Sequence, residues 1–187
     1  MSGVLLAAGR SLRFGGSVPK QLFELEGEPL VRRAARTVLA ADLAELVVVV
    51  GFRADEVRKA IADLDLRVVE NLAWAEGQST SVRAGLAAVA AGSRAALFLP
   101  VDQPRLTPGL IDSLIECYRR TGGPVVAPVH RGRRGAPVLF DRSLFGELRQ
   151  IEGDEGGRQV LRRRPEPIVE VEVEDVEELQ DLDRRPG

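Results

Sequence analysis

Short apolar runs alternate with amphipathic stretches along most of this chain, and no other feature narrows its fold so far. Val4 to Ala8, Leu46 to Val50, Leu66 to Val69, Ala95 to Leu99 and Val125 to Ala127 are apolar at nearly every position. A strand that is apolar on both sides has no face for water, so it must be covered by helices on each side of a sheet. Leu30 to Leu39, Ala54 to Leu64, Ser79 to Ala91 and Pro108 to Arg120 read as those helices. The first begins directly after Pro29, and the second carries Asp55 and Glu56 near its start, where the helix dipole favours negative charge. Ser79-Thr80-Ser81 is suited to capping the third, and Thr107 followed by Pro108 opens the fourth. The alternation predicts an α/β fold, a three-layer α/β/α sandwich around a mostly parallel sheet.

The rhythm loosens after residue 128. Arg131 to Gly135 is a basic loop with glycines, and Val138-Leu139-Phe140 is a short strand. Leu144 to Gln150 and Gly157 to Arg164 read as helical, and Ile168 to Val173 alternates apolar residues with Glu, as a half-exposed edge strand does. The acidic segment Glu174 to Asp183 reads either as solvated or as turning back toward the site.

The 187 residues suit one domain, 1–187, with a full core. With 26 basic and 28 acidic side chains the net charge is −2, so neither nucleic acid nor an anionic membrane is expected as a partner. Met1-Ser2-Gly3 lacks the basic start of a signal peptide, and no window approaches the roughly 18 apolar residues of a membrane span. A lone Cys117 fits a reducing compartment and a helical core position. A cytoplasmic location is expected.

Four groups of residues carry possible chemistry. The first apolar run passes directly into Ala7-Ala8-Gly9-Arg10-Ser11-Leu12-Arg13-Phe14-Gly15-Gly16, with Lys20 shortly after. A loop leaving the carboxyl end of a parallel strand lies in the usual ligand crevice, its small residues let backbone approach phosphates, and Arg13 and Lys20 supply positive charge. It matches neither the dinucleotide fingerprint nor the GxxxxGK[ST] phosphate loop. Asp102, in Leu99-Pro100-Val101-Asp102-Gln103-Pro104, falls just past another strand on the same sheet edge, where a carboxylate beside phosphates suits Mg²⁺. Asn71 to Leu86 reads as a strand end, a polar loop and a capped helix, and it contains Trp74, Gly77, Ser79 and Ser81. Ser79 and Ser81 read either as caps or as base contacts, and Trp74 as packing or stacking. Finally, Arg131-Gly132-Arg133-Arg134-Gly135 and Gly153-Asp154-Glu155-Gly156-Gly157-Arg158 suit an anionic acceptor, although a basic cluster is commonly a solvated face.

These motifs resemble those of the molybdenum cofactor cytidylyltransferases, within the MobA-like NTP transferase superfamily. The likeness rests on Leu6-Ala7-Ala8-Gly9-x-Ser11-x-Arg13-Phe14-Gly15 with Pro19-Lys20, on Asp102-Gln103-Pro104, on the Asn71 to Leu86 stretch, on the RGxxGxP segment ending at Pro137 and on GDxGxR at Gly153 to Arg158. It spans Val4 to Asp183. The resemblance implies a Rossmann-like nucleotidyltransferase sheet and CMP transfer from CTP to the phosphate of molybdopterin, with release of pyrophosphate. It implies catalytic roles for Lys20, Arg13 and Asp102, and nucleotide binding by Ala7, Ala8, Gly9, Arg10, Arg13, Lys20, Gly77 and Ser81. Asp102 and Asp183 would hold Mg²⁺, and Gln103, Arg134, Gly135, Asp154 and Arg158 would bind the acceptor. A molybdoenzyme would receive the product.

The chain departs from the family pattern at Ala136, where the family commonly has His, and at Arg184-Arg185-Pro186-Gly187, which replaces Thr-Pro-Glu-Asp. Ala-Ala-Gly goes with CTP in this family, whereas relatives that use GTP usually have Ala-Gly-Gly. Pro19-Lys20-Gln21 is also similar to the cytidylyltransferase of isoprenoid synthesis. Transfer of GMP to molybdopterin, transfer of CMP to a methylerythritol phosphate, and a non-catalytic nucleotide- or cofactor-binding chaperone are therefore alternatives.

Overall fold

The computed structural model describes residues 1–11, 14–163 and 168–185. In chain order the strands are β1 (Ser2–Ala7), β2 (Glu24–Leu25), β3 (Glu28–Pro29), β4 (Glu45–Val50), β5 (Arg67–Glu70), β6 (Ala95–Pro100), β7 (Val125–His130), β8 (Arg133–Arg134), β9 (Val138–Asp141) and β10 (Val169–Glu172). The α-helices are α1 (Leu30–Leu39), α2 (Ala54–Ala60), α3 (Gln78–Ala88), α4 (Pro108–Thr121), α5 (Phe145–Leu148) and α6 (Arg158–Arg163). The main sheet runs β10-β7-β9-β6-β1-β4-β5, with β8 paired to β7. Strand pairs β1–β4, β1–β6, β4–β5 and β7–β10 are parallel, and β9 enters antiparallel between β6 and β7. The order reverses at β1, which lies between β4 and β6, and such a reversal opens a ligand crevice beyond the carboxyl ends of the strands.

The double-sided strands explain the layers. Leu5 and Ala7 of β1 face one side with Val48, Val50, Leu97 and Leu99, where α1, α2 and α4 pack through Val31, Ala35, Val38, Val57, Ile111 and Leu114. Val4 faces the other with Val49 and Phe98, beneath α3, α5 and α6 through Val82, Leu86, Leu148 and Val160. Alternate residues of one strand thus enter opposite cores, as a period of two requires. Burying an aliphatic side chain of this size contributes roughly 1.5–3 kcal/mol.

Local signals account for several boundaries. Thr107 caps α4, its Oγ1 accepting from the Leu110 N–H at 3.2 Å, and Gly122 closes the helix in the left-handed region. α1 occupies the residues its periodicity predicts. α2 stops at Ala60, short of the expected Leu64. α3 starts at Gln78 and ends at Ala88, and no side chain caps it. Arg164, the expected end of α6, lies outside the described residues. β10 is the predicted edge strand, with Glu170 and Glu172 exposed. Cys117 is a buried thiol on α4. Among the described residues, no helix is long and apolar enough to cross a membrane.

Candidate active site

The carboxyl edge of the sheet gathers the functional side chains. Leu6 of β1 is in register with Pro100 of β6, which brings the loop after β1 beside the turn carrying Asp102. Ala7 and Ala8 are buried, and the Ala8 carbonyl accepts from the Phe52 N–H at 2.9 Å. Gly9 and Arg10 are exposed. The Arg10 guanidinium lies 5.5 Å from the centre of the Phe52 ring, which packs edge to face on Trp74 at 5.3 Å. Arg10, Ser11, Gly15 to Pro19 and Phe52 line a cavity of about 270 Å³. Arg13 lies outside the described residues.

Lys20 stands at the start of a 3₁₀ turn, Lys20–Leu22. Its side chain is only 10% exposed, and its Nζ donates to Asp102 Oδ2 at 2.7 Å and lies 3.9 Å from Asp183 Oδ1. One ammonium therefore sits between two carboxylates, one from the middle of the chain and one from near its carboxyl end. The acidic segment reaches this point by turning back along the 102–107 loop that follows β6. The Leu182 N–H donates to the Asp102 carbonyl at 2.8 Å, and Arg105 and Thr107 contact Glu177 and Glu178. Of the two expectations for this segment, the structure has the turn toward the site. Burial raises the Asp181 carboxyl above its ordinary range, and the Asp102 charge raises it further, against the hydrogen bond from Gln103.

The two carboxylates fit a hard divalent cation. The space between them already accommodates a positive charge, that of Lys20, and the donors are oxygens. Among the described residues no three His, Cys, Asp or Glu side chains converge on one point, so phosphate oxygens and water would complete the shell.

The remaining predicted residues fall in two places. Gln103 is buried, and its Nε2 donates to the Leu179 carbonyl at 3.2 Å and to Asp181 Oδ1 at 3.1 Å. Its amide nitrogen thus holds the acidic segment, while its Oε1 is buried without a partner among the described residues. Gly135 packs on Leu179, and Arg134 Nε donates to Glu170 at 2.6 Å. His130, Arg131, Arg133, Arg134, Gly135, Val176 and Leu179 line a second cavity of about 600 Å³. His130 itself is tied through Nδ1 to the Val173 carbonyl at 2.7 Å. Asp154 and Arg158 are exposed elsewhere, near the start of α3. A Cβ at Gly77, whose φ is +116°, would come within 2.7 Å of the Gly153 backbone and 2.9 Å of Asp154 Oδ1. The structure therefore brings predicted nucleotide and acceptor residues together at Gly77 and Asp154, apart from the group around Leu179.

Ser81 is buried, with its Oγ accepting from Asn71 Nδ2 at 3.0 Å, and Thr80 Oγ1 accepts from the same amide at 2.7 Å. Thr80 in turn donates to the carbonyls of Ala73 and Gly77. No side chain caps α3; Thr80 and Ser81 instead tie the loop to the helix through Asn71. Asn71 and Gln21 are site-shaping residues that the motif reading left out of the binding set. Gln21 is buried and its Nε2 donates to the carbonyls of Gly9, at 3.1 Å, and Phe52, at 3.3 Å. The signal for Gln21 was its place in Pro19-Lys20-Gln21, directly after the cation.

A cavity rimmed by glycines and an arginine lies near a lysine and paired carboxylates on the carboxyl edge of a mostly parallel sheet, chemistry that would suit a phosphorylated ligand. The model of the MobA-like NTP transferase domain matches residues 3–168, and the chain belongs to that family of nucleotidyltransferases. It is 33% identical to nicotine blue oxidoreductase of Paenarthrobacter nicotinovorans over 192 residues, 98% of this chain and 92% of that protein. It is 31% identical to the 2-C-methyl-D-erythritol 4-phosphate cytidylyltransferase of Streptomyces avermitilis over 68% of this chain and 52% of that protein, and so spans about half of it. Among solved structures, a nucleotidyl transferase from Methanothermobacter thermautotroptrophicus superposes with a TM-score of 0.84 at 26% identity, covering 98% of this chain and 91% of that one. The manganese complex of Rv0371c from Mycobacterium tuberculosis superposes with a TM-score of 0.76 at 28% identity, covering 92% and 87%.

Proposed function

We propose that this nucleotidyltransferase moves CMP from CTP to the phosphate of a molybdopterin-type acceptor, with a divalent cation, Mg²⁺, as cofactor. The observation that carries the reading is Lys20 held between Asp102 and Asp183 beside the β1 loop. An acceptor phosphate oxygen attacks the α-phosphorus, a new P–O bond forms, the bond to the β-phosphate bridge breaks and pyrophosphate leaves. The acceptor phosphate is already nucleophilic, so the reaction calls for positioning and charge neutralisation rather than a side-chain nucleophile. Asp102 and Asp183 would hold the cation, which when bound offsets negative charge on the phosphates. Lys20 moves its charge from the carboxylates to the triphosphate. Arg10 and the Gly15 to Pro19 loop border the cavity that would take the nucleotide. Arg13 is proposed to join Lys20 on the triphosphate, and the Ala7-Ala8-Gly9 sequence supports CTP by the family correlation. Gly77 and Ser81 are proposed to border the base, and Gln103, Arg134, Gly135, Asp154 and Arg158 the acceptor; a molybdoenzyme would receive the finished cofactor. A single domain and a cytoplasmic setting belong to the same reading.

The likeness to the methylerythritol phosphate enzyme, together with the buried Gln21 after Lys20, favours a second acceptor worth testing in the same assay. Pyrophosphate release is measured for each NTP with Mg²⁺, alone, with molybdopterin, and with methylerythritol phosphate. The expected outcome is release that needs both CTP and molybdopterin. Release with GTP changes the base, and release with methylerythritol phosphate changes the acceptor. CTP binding without release under any condition overturns the catalytic reading in favour of a binding module.

A further inference from the structure

The loop after β1 and the segment bearing Asp181 and Asp183 meet at a contact that none of the motifs contains. Arg185 lies two residues beyond Asp183. Its guanidinium is 5.5 Å from the ring centres of both Phe14 and Phe23, within range for a cation on an aromatic face. Its Nη2 donates to the Val18 carbonyl at 2.8 Å. It also lies flat against Gly16, where an added Cβ would stand 2.5 Å from Arg185 Cζ. Phe14 and Phe23 pack edge to face at 5.2 Å, and the Phe14 ring carries Lys20 Nζ at 5.7 Å as well. One aromatic pair therefore seats two cations. Lys20 reaches the carboxylates, and Arg185 anchors the segment from which one of those carboxylates comes.

That segment has few other holds. Asp183 is 86% exposed at its side chain, so burial does not fix it. Upstream it is held by the Leu182 N–H on Asp102 and by the Gln103 amide on Leu179 and Asp181. Downstream, Arg185 is its anchor among the described residues. We propose that Arg185 is a positioning residue, a latch that closes the Asp181–Arg185 segment onto the Phe14–Val18 loop. It fixes two things together: the Gly15 to Pro19 wall of the cavity, and the Asp183 carboxylate beside Lys20. The proposal rests on the nucleotidyl-transfer reading of this edge and gives a role to residues that stand where the resembled family has others.

The test compares the intact wild-type protein with Arg185→Ala and Arg185→Lys. Amide hydrogen exchange of Leu182, without nucleotide or metal, reads the latch directly. The KM for CTP with Mg²⁺ and acceptor, against kcat, reads its effect on the site. Loss of a charge-assisted hydrogen bond and two ring contacts predicts about tenfold faster Leu182 exchange and about a tenfold rise in KM for Arg185→Ala, with kcat within about twofold. Arg185→Lys keeps a cation on the rings and falls between. Exchange of Val48 in the core stays as in wild type. Wild-type exchange in Arg185→Ala, or a fall in kcat with KM and exchange unchanged, overturns the proposal. A wild-type protein that turns over no CTP sinks the functional reading instead, and the latch then stands or falls on the exchange rates alone.

Discussion

Lys20 is the residue on which the other site groups converge, and its burial decides how they can be probed. Replacing Asp102 with Ala leaves an ammonium that is 10% exposed with the exposed Asp183 at 3.9 Å and the Phe14 ring as its remaining partners among the described residues. Breaking a pair of this kind typically destabilises by about 3–5 kcal/mol, so Ala perturbs the fold as well as the chemistry. Asp102→Asn keeps the shape and a hydrogen-bond acceptor for Lys20. It is expected to lower kcat by on the order of 100-fold, because it removes charge needed at the phosphates, while shifting the urea midpoint less than Ala does, because the Lys20 hydrogen bond is kept. Steady-state rates and urea unfolding on one preparation check this, and near wild-type turnover would refute the metal assignment. Lys20 and Asp102 drew notice in the sequence because they follow apolar strands that end on one sheet edge, whereas Asp183 was picked out only by the family resemblance, since an acidic tail alone has no such pattern. The sequence did not reveal the direction of Gln103, since an amide serves an acceptor or a carbonyl equally well. Arg185 was illegible for another reason: its partners, Phe14, Val18 and Phe23, are distant in sequence and belong to no shared motif.

The elements were read most securely where both faces of a strand are apolar, because only a covered sheet can take such runs. β1, β4 and β6 follow this rule, and α1 and α4 start where the Pro residues and Thr107 predict. The part of the sheet after residue 128 was harder to read. β9 pairs antiparallel between β6 and β7, a non-local arrangement with no local signature. The opening of α3 was misread because Ser79-Thr80-Ser81 has capping chemistry, yet the Asn71 amide draws Thr80 and Ser81 into a bridge to the preceding loop. That makes the seating of α3 a condition for the shape of the 71–77 loop. At Gly85 the helix comes so near the sheet that an added Cβ would collide with Val4 Cγ1 and lie 3.0 Å from Val49 Cγ2. Gly85→Ala is therefore expected to destabilise by about 1–2 kcal/mol, since overpacking typically costs about 1–3 kcal/mol and better helix propensity returns up to about 1 kcal/mol. Urea unfolding measures it. A stabilised variant would mean that α3 shifts without loss, and the loop would then not be held by that packing.

Across the whole molecule the sheet separates its two edges into different tasks. The carboxyl edge gathers the site, while the amino edge holds a polar joint that serves stability. There β6 begins opposite the end of β9, with Ala95 in register with Asp141. Tyr118 of α4 reaches this point, its hydroxyl donating to Asp141 Oδ2 at 2.6 Å and lying 3.2 Å from the Arg94 carbonyl. Burial, with the hydrogen bond to Asp141, pushes the Tyr118 phenol up to about 12. Burial also pushes Asp141 up, but hydrogen bonds from Tyr118 and Ser143 outweigh it and leave the carboxyl below its ordinary range. The stability from Tyr118 is therefore fully present below the unfolded phenol value near 10, and is lost as pH rises toward the folded value of about 12. The Asp141 contribution is present above the ordinary carboxylate value and is lost as pH falls through the lowered one. At neutral pH, Tyr118→Phe is expected to destabilise by about 2 kcal/mol, the scale of a hydrogen bond to a charged group. The gap between wild type and variant should then narrow by about 1.4 kcal/mol per pH unit from pH 10 toward 12, because only the wild type gains an ionisable phenol on unfolding. Urea unfolding of both proteins across that range decides the matter: a constant gap would mean that the hydroxyl contributes packing alone. Because this joint lies on the edge away from Lys20 and Asp102, the KM for CTP should be unchanged in Tyr118→Phe at neutral pH, which separates a loss of stability from a loss of the site.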